Sequence, residues 1–509
     1  LAWRLSVMKN DSDGFRENVY LNRDDTNGKD EFLLRGKLRW KPQIDWTVDV
    51  TLLSGDINNG YDAWTPENGF TLYSDNPGKD SEETLGSSIR ASWTGNENFE
   101  LLSITSYVDI DLQHSYDGDW GNNDFWAASP YNWDSAAEGY DYDFFDNLLR
   151  FRETFSQEFR LISSTDVNSR KKQNSWVAGV YYKELAESDD YNGFAFLQSD
   201  YEARNAAVYG ERVTPLSDQS SFTLSMRVEN QGTDYSDDQG VSFSLSETMI
   251  GGRALMDYQL NDEMNVFTSV SRGFKAGGFN QNPGLPEDRR GYDAESLWNL
   301  EGGIRSSFLG GSLAANVTAF YMLRRDMQIS TSFQSDPSNP SSFQYYTTNA
   351  ATGTNYGVET EVTWNITSRI SLFGNLGLLE TKFDSYETAG GTNALEGREQ
   401  PHAPNYSYFA GVQFTDPSGF FFRGEINGTD NFYFSDSHNQ QSSAYTLVNS
   451  QIGYRFKQWS VTLWARNLLD EEYDVRGFYF GLEPPSYPDK LYLHRGDPRQ
   501  FGITLEFDF

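Results

Sequence analysis

The sequence predicts an all-β fold: a large antiparallel transmembrane β-barrel of about 20 strands. Three observations predict it, namely alternation of apolar and polar residues, a regular succession of short and long connections, and tryptophans beside the short connections. Alternation with a period of two is typical of a strand that buries one face and wets the other. Bacterial outer-membrane barrels combine such strands with short periplasmic turns and longer extracellular loops.

The composition fits a chain that orders a large surface. Its 509 residues exceed one ordinary globular domain, which favours a repeat protein, a propeller or a large barrel. Only 37% of the residues are hydrophobic but 16% are aromatic, which excludes a disordered acidic chain. No run of about 18 apolar residues occurs, so a transmembrane helix is excluded. The absence of Cys excludes a disulfide framework and a thiolate metal site.

The formal net charge of −34 limits the partners of the chain. It excludes binding to nucleic acid, or to an anionic membrane surface, by bulk electrostatics. Two interpretations of the charge stay open, which are solubility in a salty medium and a surface that attracts a specific cation.

The predicted strands are joined alternately by short and long connections. The short ones have the polar, Gly and Pro content of hairpin turns and cover residues 41–45, 95–98, 166–173, 217–220, 261–264, 309–311, 365–368, 416–419 and 457–458. The long ones include residues 57–83, 114–149, 281–295, 331–350, 387–402 and 479–498. This asymmetry predicts turns on the periplasmic side and loops on the extracellular side.

Alternation alone does not tell which face points inward, because a soluble β-sandwich alternates with its apolar face in the core. Tryptophans favour the membrane interpretation, since those beside the short connections form a ring at one level of a barrel, namely Trp40, Trp46, Trp93, Trp176, Trp364 and Trp459. A sandwich or a propeller also places aromatic residues near turns. With the apolar face in lipid, the opposite face carries the charges.

The charged face is predicted to line a wide lumen and to face either water or a folded plug, because barrels of this size are usually plugged. Its predicted members include Arg35, Lys37, Arg39, Arg90, Glu158, Arg160, Glu359 and Glu361. The alternative role for any one of them is a solvated or ion-paired wall residue.

The closing segment FGITLEFDF alternates strictly. Its apolar face consists of Phe501, Ile503, Leu505, Phe507 and Phe509. The last residues of a soluble domain usually fray, whereas an outer-membrane barrel usually ends on an aromatic strand of this kind.

Eight segments, in this order and spacing, make the chain similar to the barrel portion of a TonB-dependent receptor. They are LAWRLSVMKNDSDGFREN (1–18), FLLRGKLRWKP (32–42), FSQEFRLISS (155–164), VAGVYY (177–182), VFTSVSRGFKAGGFN (266–280), NYGVETEVTW (355–364), ARNLLDEEYD (465–474) and RQFGITLEFDF (499–509). The resemblance implies a barrel domain over residues 1–509, located in the bacterial outer membrane. It also implies that the closing strand is the signal read by the barrel-assembly machinery.

The resemblance further implies parts that lie outside this sequence. Members of that family carry a plug domain and an energy-coupling segment ahead of a 22-stranded barrel, whose first hairpin is also missing here. The implied partners are the TonB–ExbB–ExbD energy complex, engaged through the missing N-terminal region, and outer-membrane lipid and lipopolysaccharide. The remaining implied partner is a small-molecule or oligosaccharide ligand.

The segment 114–149 is rich in aromatic and acidic residues and is the predicted ligand-binding loop. Aromatic side chains stack on sugar rings or on the aromatic groups of a siderophore, which nominates Trp120, Trp126, Tyr131, Trp133 and Tyr140. The alternative is that these residues only pack the loop. DGDWGNND at residues 117–124 resembles a Ca²⁺ loop but lacks the EF-hand pattern, so no metal site and no cofactor are predicted.

These observations predict active import of a scarce large ligand, and by resemblance a ferric siderophore. An oligosaccharide importer of the same family, a passive porin and a soluble β-rich carbohydrate-binding protein are the alternatives. An enzyme is not predicted, because GxSxG, HExxH and P-loop motifs are absent.

Overall fold

The computed structural model describes residues 1–164, 173–193, 195–282, 284–335, 343–386 and 395–508. Phe509, the predicted last residue of the closing strand, lies outside the described residues, as does the predicted turn 166–173 except for its final residue. Among the described residues, no helix is both long enough and apolar enough to cross a membrane.

Twenty-six strands account for most of the described chain. They are β1 (Ala2–Ser12), β2 (Glu17–Asn18), β3 (Lys29–Trp40), β4 (Trp46–Tyr61), β5 (Thr71–Leu72), β6 (Gly78–Trp93), β7 (Phe99–Asp117), β8 (Phe145–Ser163), β9 (Ser175–Asn192), β10 (Phe196–Pro215), β11 (Ser220–Asp237), β12 (Ser242–Asn261), β13 (Met264–Lys275), β14 (Gly278–Phe279), β15 (Gly291–Tyr292), β16 (Glu295–Phe308), β17 (Leu313–Gln334), β18 (Phe343–Asn365), β19 (Ile370–Tyr386), β20 (Tyr406–Thr415), β21 (Phe420–Thr429), β22 (Tyr445–Phe456), β23 (Trp459–Arg466), β24 (Asp474–Phe480), β25 (Lys490–Arg495) and β26 (Gln500–Phe507). The helices are α1 (Asn123–Ala127) and α2 (Ser135–Glu138), with short 3₁₀ turns at Glu287–Arg289 and Leu309–Gly311.

Twenty of these strands form one antiparallel sheet, which confirms the predicted barrel. Each wall strand pairs with the next wall strand along the chain, from the β1–β3 ladder to the β23–β26 ladder. Within the described residues, β1 pairs only with β3 and β26 only with β23. These two strands are therefore the edges of the sheet. Short pairs, β2–β5, β14–β15 and β24–β25, lie in the loops.

The two faces of the wall differ as the alternation predicts. One face is a continuous belt of exposed apolar side chains that includes Val208, Leu224, Met226, Ile250, Val270, Leu300, Ile503 and Leu505. The opposite face carries charged residues in register across strands, such as Arg39 opposite Asp49 and Asp49 opposite Arg90. A belt of this kind suits contact with lipid, and charges on the other face suit a polar lumen.

The two ends of the barrel also differ. Of the tryptophans beside the short turns, Trp93 is half-buried and the others are exposed, with Trp40 51% and Trp459 45% accessible. At the other end the strands run further than predicted, because β7 and β8 stay paired up to Asp117 and Phe145. About 10 residues suffice for a tilted strand to cross a bilayer, so the outer part of the 19-residue β7 stands above the membrane. These outer strand ends and loops build the candidate site.

Candidate ligand-binding site

The segment between β7 and β8 folds as a small capped unit. The Asn122 side chain accepts a hydrogen bond from the Phe125 N–H at 2.9 Å and so begins α1. Asp134 does the same for α2, accepting from the N–H groups of Ala136 and Ala137. Gly139 then ends α2 in the left-handed region, with φ of 84°. These caps are the residue types that such helix ends require.

Two buried carboxyl groups organise the start of the same segment. Asp119 accepts hydrogen bonds from the Trp126 indole Nε1–H at 2.8 Å, the Phe144 N–H at 2.8 Å and the Gly121 N–H at 3.1 Å. Asp117 accepts from the N–H groups of Asp119 and Trp120, both at 3.0 Å. Burial raises the pKa of both carboxyl groups, and the nearby Asp119 charge raises the pKa of Asp117 further.

The aromatic residues of this segment pack with the β24–β25 hairpin, which is far away along the chain. A cluster of buried side chains joins them, made of Trp120, Trp126, Trp133, Tyr142, Leu482 and Tyr492. The Tyr142 hydroxyl donates to the Leu482 carbonyl. Trp64, from the segment between β4 and β6, stacks on Trp120 with ring centroids 5.8 Å apart.

Polar contacts hold the segment between β4 and β6 to the β24–β25 hairpin. Asn68 donates to the Leu491 carbonyl at 3.1 Å and accepts from the Leu493 N–H at 2.9 Å. The Lys490 ammonium donates to the Pro66 carbonyl at 2.9 Å. Residues 62–77, 118–144 and 467–499 thus form one packed body, which we name the cap.

A cavity of about 870 Å³ lies beneath the cap at the extracellular mouth. The cap contributes Tyr140, Tyr142, Phe144, Phe480, Leu482 and Tyr487. The wall contributes Leu148, Arg150, Asp189, Tyr191, Leu197 and Ser199, together with Gln344 and Tyr345 at the outer end of β18. The loop between β14 and β15 contributes Gln281 and Asn282. This volume and this mixture of aromatic surface with a few polar groups are typical of small-molecule sites.

The charged groups of the cavity are already paired. Arg150 donates to both carboxylate oxygens of Asp189, at 2.7 and 2.6 Å, and lies 3.2 Å from Glu187. Arg152 forms an ion pair with the same Glu187 carboxylate. The strand register produces this arrangement, because Arg150 lies opposite Asp189 and Arg152 lies opposite Glu187 across β8 and β9.

The five aromatic residues predicted to bind ligand occupy two kinds of position. Trp120, Trp126 and Trp133 are buried in the cap, and Tyr131 packs against them partly buried. Tyr140 is 48% exposed and lines the cavity. The role of these five residues in binding stays a prediction. Sequence reasoning missed Phe480, Tyr487 and Tyr345, because nothing in the sequence indicates that they line the same cavity as the 118–144 segment.

The residues predicted to face the lumen all lie on the charged face of the wall. Arg39 pairs with Asp49 at 2.6 Å, and Arg90 lies 3.7 Å from the same carboxylate. Arg160 pairs with Glu158 at 2.7 Å, and Asn316 donates to Glu361 at 3.4 Å. Arg35 and Lys37 share the face of Arg39, and Glu359 shares the face of Glu361. Whether a plug contacts these residues stays a prediction.

In the described part of the chain, no group of three or more His, Asp or Glu side chains is arranged to hold a metal ion. The acidic segment 117–124 is instead occupied by its own hydrogen bonds, because Asp117 and Asp119 accept from backbone and indole N–H groups.

Comparison with known proteins agrees with this geometry. Residues 39–468 match the family model described as TonB dependent receptor-like, beta-barrel. The pesticin receptor of Yersinia pestis is 26% identical over 276 residues, which are 53% of this chain and 37% of that protein. The chain thus spans well under half the length of the curated relatives it matches.

Solved structures share the fold across the whole chain. The ferric yersiniabactin uptake receptor FyuA of Yersinia pestis superimposes with a TM-score of 0.80 at 19% identity, covering 100% of this chain and 75% of that one. The ferric-catecholate import receptor Fiu of E. coli K12 superimposes with a TM-score of 0.73 at 13% identity, covering 100% of this chain and 77% of that one. The chain therefore belongs to the TonB dependent receptor-like β-barrel family and is a protein of the Gram-negative outer membrane.

Proposed function

We propose that this barrel is the outer-membrane part of an active transporter that imports a ferric siderophore. The cavity of about 870 Å³ beneath the cap carries the proposal, because it lies where a ligand arriving from outside first meets the barrel. Similar structures named as uptake receptors for ferric yersiniabactin and ferric catecholates support the choice of cargo. Tyr140 would contact the ligand, while Trp120, Trp126, Tyr131 and Trp133 would hold the cap in shape.

Active import requires a gated lumen, and we propose a plug domain inside this barrel. The inner wall offers the polar surface that a folded plug needs, including a concavity of about 600 Å³ lined by Arg423, Glu425, Trp464 and Arg466. A hairpin of the same protein would pair with the free edges of β1 and β26 and complete a 22-stranded wall. Force from the TonB–ExbB–ExbD complex would act on the plug after the ligand has bound.

The three cap segments would act as the extracellular lid of this transporter. They are joined to one another by the aromatic cluster and by the Asn68 bridge, so the cap would move as one body. Closure over a bound ligand would keep the ligand in the cavity while the plug opens, as lids do in other proteins.

Deletion of the gene tests the proposed function. Iron-starved cells that lack the gene should fail to grow on at least one ferric siderophore as the sole iron source and should recover when the gene is restored. Growth on a soluble ferrous salt is the control and should not change. Unchanged growth on every ferric siderophore, together with lost growth on an oligosaccharide, would replace the iron cargo with a glycan. If small solutes enter cells that lack the gene as fast as before, without a need for energy, the passive-porin alternative is contradicted.

A further inference from the structure

We propose that the cavity selects a ligand that carries ring groups and no net negative charge, and that it rejects multiply anionic chelates. This inference rests on the proposed function and names the substrate class of the same site. Among the described residues that line the cavity, the charged ones are Arg150 and Asp189. They have opposite signs, so the lining contributes no net positive charge to attract an anion.

The pairing of Arg150 is the first step of the argument. Two of its N–H groups are held by Asp189 at 2.7 and 2.6 Å, a bidentate geometry that fixes the guanidinium plane. Glu187 lies 3.2 Å away and also binds Arg152, so two arginines face two carboxylates. The Asp189 and Glu187 side chains are only 7% exposed. The group as a whole is neutral, because each arginine is paired with a carboxylate.

An anionic ligand would meet this group unfavourably. An anion that displaced Asp189 from Arg150 would leave a buried carboxylate without its cation. An anion that bound the remaining N–H groups of Arg150 would lie beside the carboxylates of Asp189 and Glu187, which repel it. The chain as a whole carries a formal charge of −34, which repels anions that approach the mouth.

The rest of the lining favours rings and neutral polar groups. Tyr140, Phe144, Phe480 and Tyr487 line the cap side of the cavity and offer aromatic surface for stacking. On the opposite side, the Asn282 amide donates to Gln344 at 2.8 Å, so a pair of neutral amides faces the rings. Amides and hydroxyl groups hydrogen-bond a neutral ligand without requiring a countercharge.

Two ferric chelates of equal size but different charge test the inference. Both are hexadentate and share one aromatic scaffold; the tris(hydroxamate) is electrically neutral, and the tris(catecholate) carries three negative charges. Their affinities are measured by tryptophan fluorescence on the receptor purified in detergent from its native outer membrane. The neutral chelate should bind at least about tenfold more tightly. Equal or tighter binding of the anionic chelate would overturn the charge inference and leave ferric-chelate import standing.

Two substitutions move the preference in opposite directions. Asp189→Asn leaves excess positive charge at Arg150 and should improve binding of the anionic chelate relative to the neutral one by about tenfold. Arg150→Gln leaves excess negative charge and should widen the preference for the neutral chelate. Asp45→Asn, in an exposed turn at the other end of the barrel, is the matched control and should leave the ratio unchanged. The inference would be overturned if the ratio of the two affinities were the same in the unsubstituted receptor and in all three variants. Failure of both chelates to bind would also overturn it. The growth test decides the proposed function independently.

Discussion

The carboxylate of Asp119 accepts a hydrogen bond from the indole Nε1–H of Trp126 at 2.8 Å, inside the cap where Trp126 is completely buried. The same carboxylate holds the Phe144 N–H at 2.8 Å, close to the point where the chain re-enters the wall at β8. One side chain therefore links the centre of the cap to the residue that leads back into the wall. The two hydrogen bonds explain why a charged residue is stable in an aromatic cluster.

Asp119→Ala should loosen the cap and leave the barrel intact. The change strands the buried N–H groups of Trp126 and Phe144, and hydrogen bonds to a charged group contribute about 1.5–3 kcal/mol each. We expect the local opening free energy of residues 120–144 to fall by about 3 kcal/mol, measured by hydrogen exchange. Asp141→Ala, an exposed carboxylate of the same segment, is the control. Unchanged protection of residues 120–144 in Asp119→Ala would contradict the role of this carboxylate.

The cap should be more stable in acid than in alkali. Burial raises the pKa of Asp117 above the ordinary value of 3.8 that it has in the unfolded chain. A carboxyl group of this kind contributes its full stability below the unfolded pKa and loses it as pH rises through the higher folded pKa. Hydrogen exchange, corrected for its intrinsic pH dependence, should therefore show greater protection of residues 118–144 at about pH 5 than at about pH 8.

Asp117→Asn isolates this pH effect. The amide keeps the oxygen that accepts from Asp119 and Trp120, and it has no charge to bury. The pH dependence should shrink, and protection at about pH 8 should rise towards the acid value. Asp119 contributes a smaller dependence of the same sign, because burial also raises its pKa. Lower protection in acid than in alkali would contradict both assignments.

Asn68 should be the main polar link between two cap segments that are far apart in sequence. Its amide bridges the Leu491 carbonyl and the Leu493 N–H, and its φ of 58° lies in the left-handed region. Asn68→Gly keeps that backbone conformation and removes only the bridge. Hydrogen exchange at residues 490–495 should report a loss of about 1–2 kcal/mol. Asn68→Ala should cost more, since it adds backbone strain; equal effects would contradict the φ argument.

The wall was predictable from the sequence because the bilayer imposes one simple rule on every strand. Lipid on one side and a polar lumen on the other force a period of two, which is visible in Tyr356, Val358 and Trp364 against Glu359 and Glu361. The short turns at 41–45 and 95–98 were predictable for the same reason, since they lie where a membrane strand ends.

The cap and the cavity follow no such rule. The hydrogen bond between Tyr142 and Leu482 joins residues that are 340 positions apart, and the one between Asn68 and Leu493 joins residues that are 425 positions apart. Aromatic loop residues look alike in sequence whether they pack a core, as Trp126 does, or line a cavity, as Tyr140 does. The predicted loop 479–498 began too late, because the wall strand β23 ends at Arg466 and residues 474–480 pair with residues 490–495 as the small β24–β25 hairpin.

The outer face of the closing strand should tolerate no charge. Ile503 is 61% exposed on the apolar belt, and a Lys on the lipid face of a barrel costs about 2–4 kcal/mol near the bilayer centre. Ile503→Lys should therefore lower the fraction of receptor that assembles in the outer membrane, measured by heat-modifiable mobility on gels. Thr504→Lys, on the opposite face of the same strand, should assemble normally. Equal assembly of the two variants would contradict the assignment of the faces.

Tyr140 should contribute directly to ligand binding. Tyr140 is 48% exposed and lines the cavity, while its ring also packs edge-on against Trp133 with centroids 5.2 Å apart. Tyr140→Ala should raise the Kd for an imported ferric chelate about tenfold, because an aromatic anchor in a binding pocket is worth about 1–2 kcal/mol. Tyr20→Ala is the matched control, since Tyr20 is 47% exposed and does not line the cavity. Hydrogen exchange of the cap is measured in both variants, because Tyr140→Ala also removes the ring contact with Trp133. A loss of affinity with unchanged protection of the cap reports contact with the ligand. An unchanged Kd would remove Tyr140 from the site.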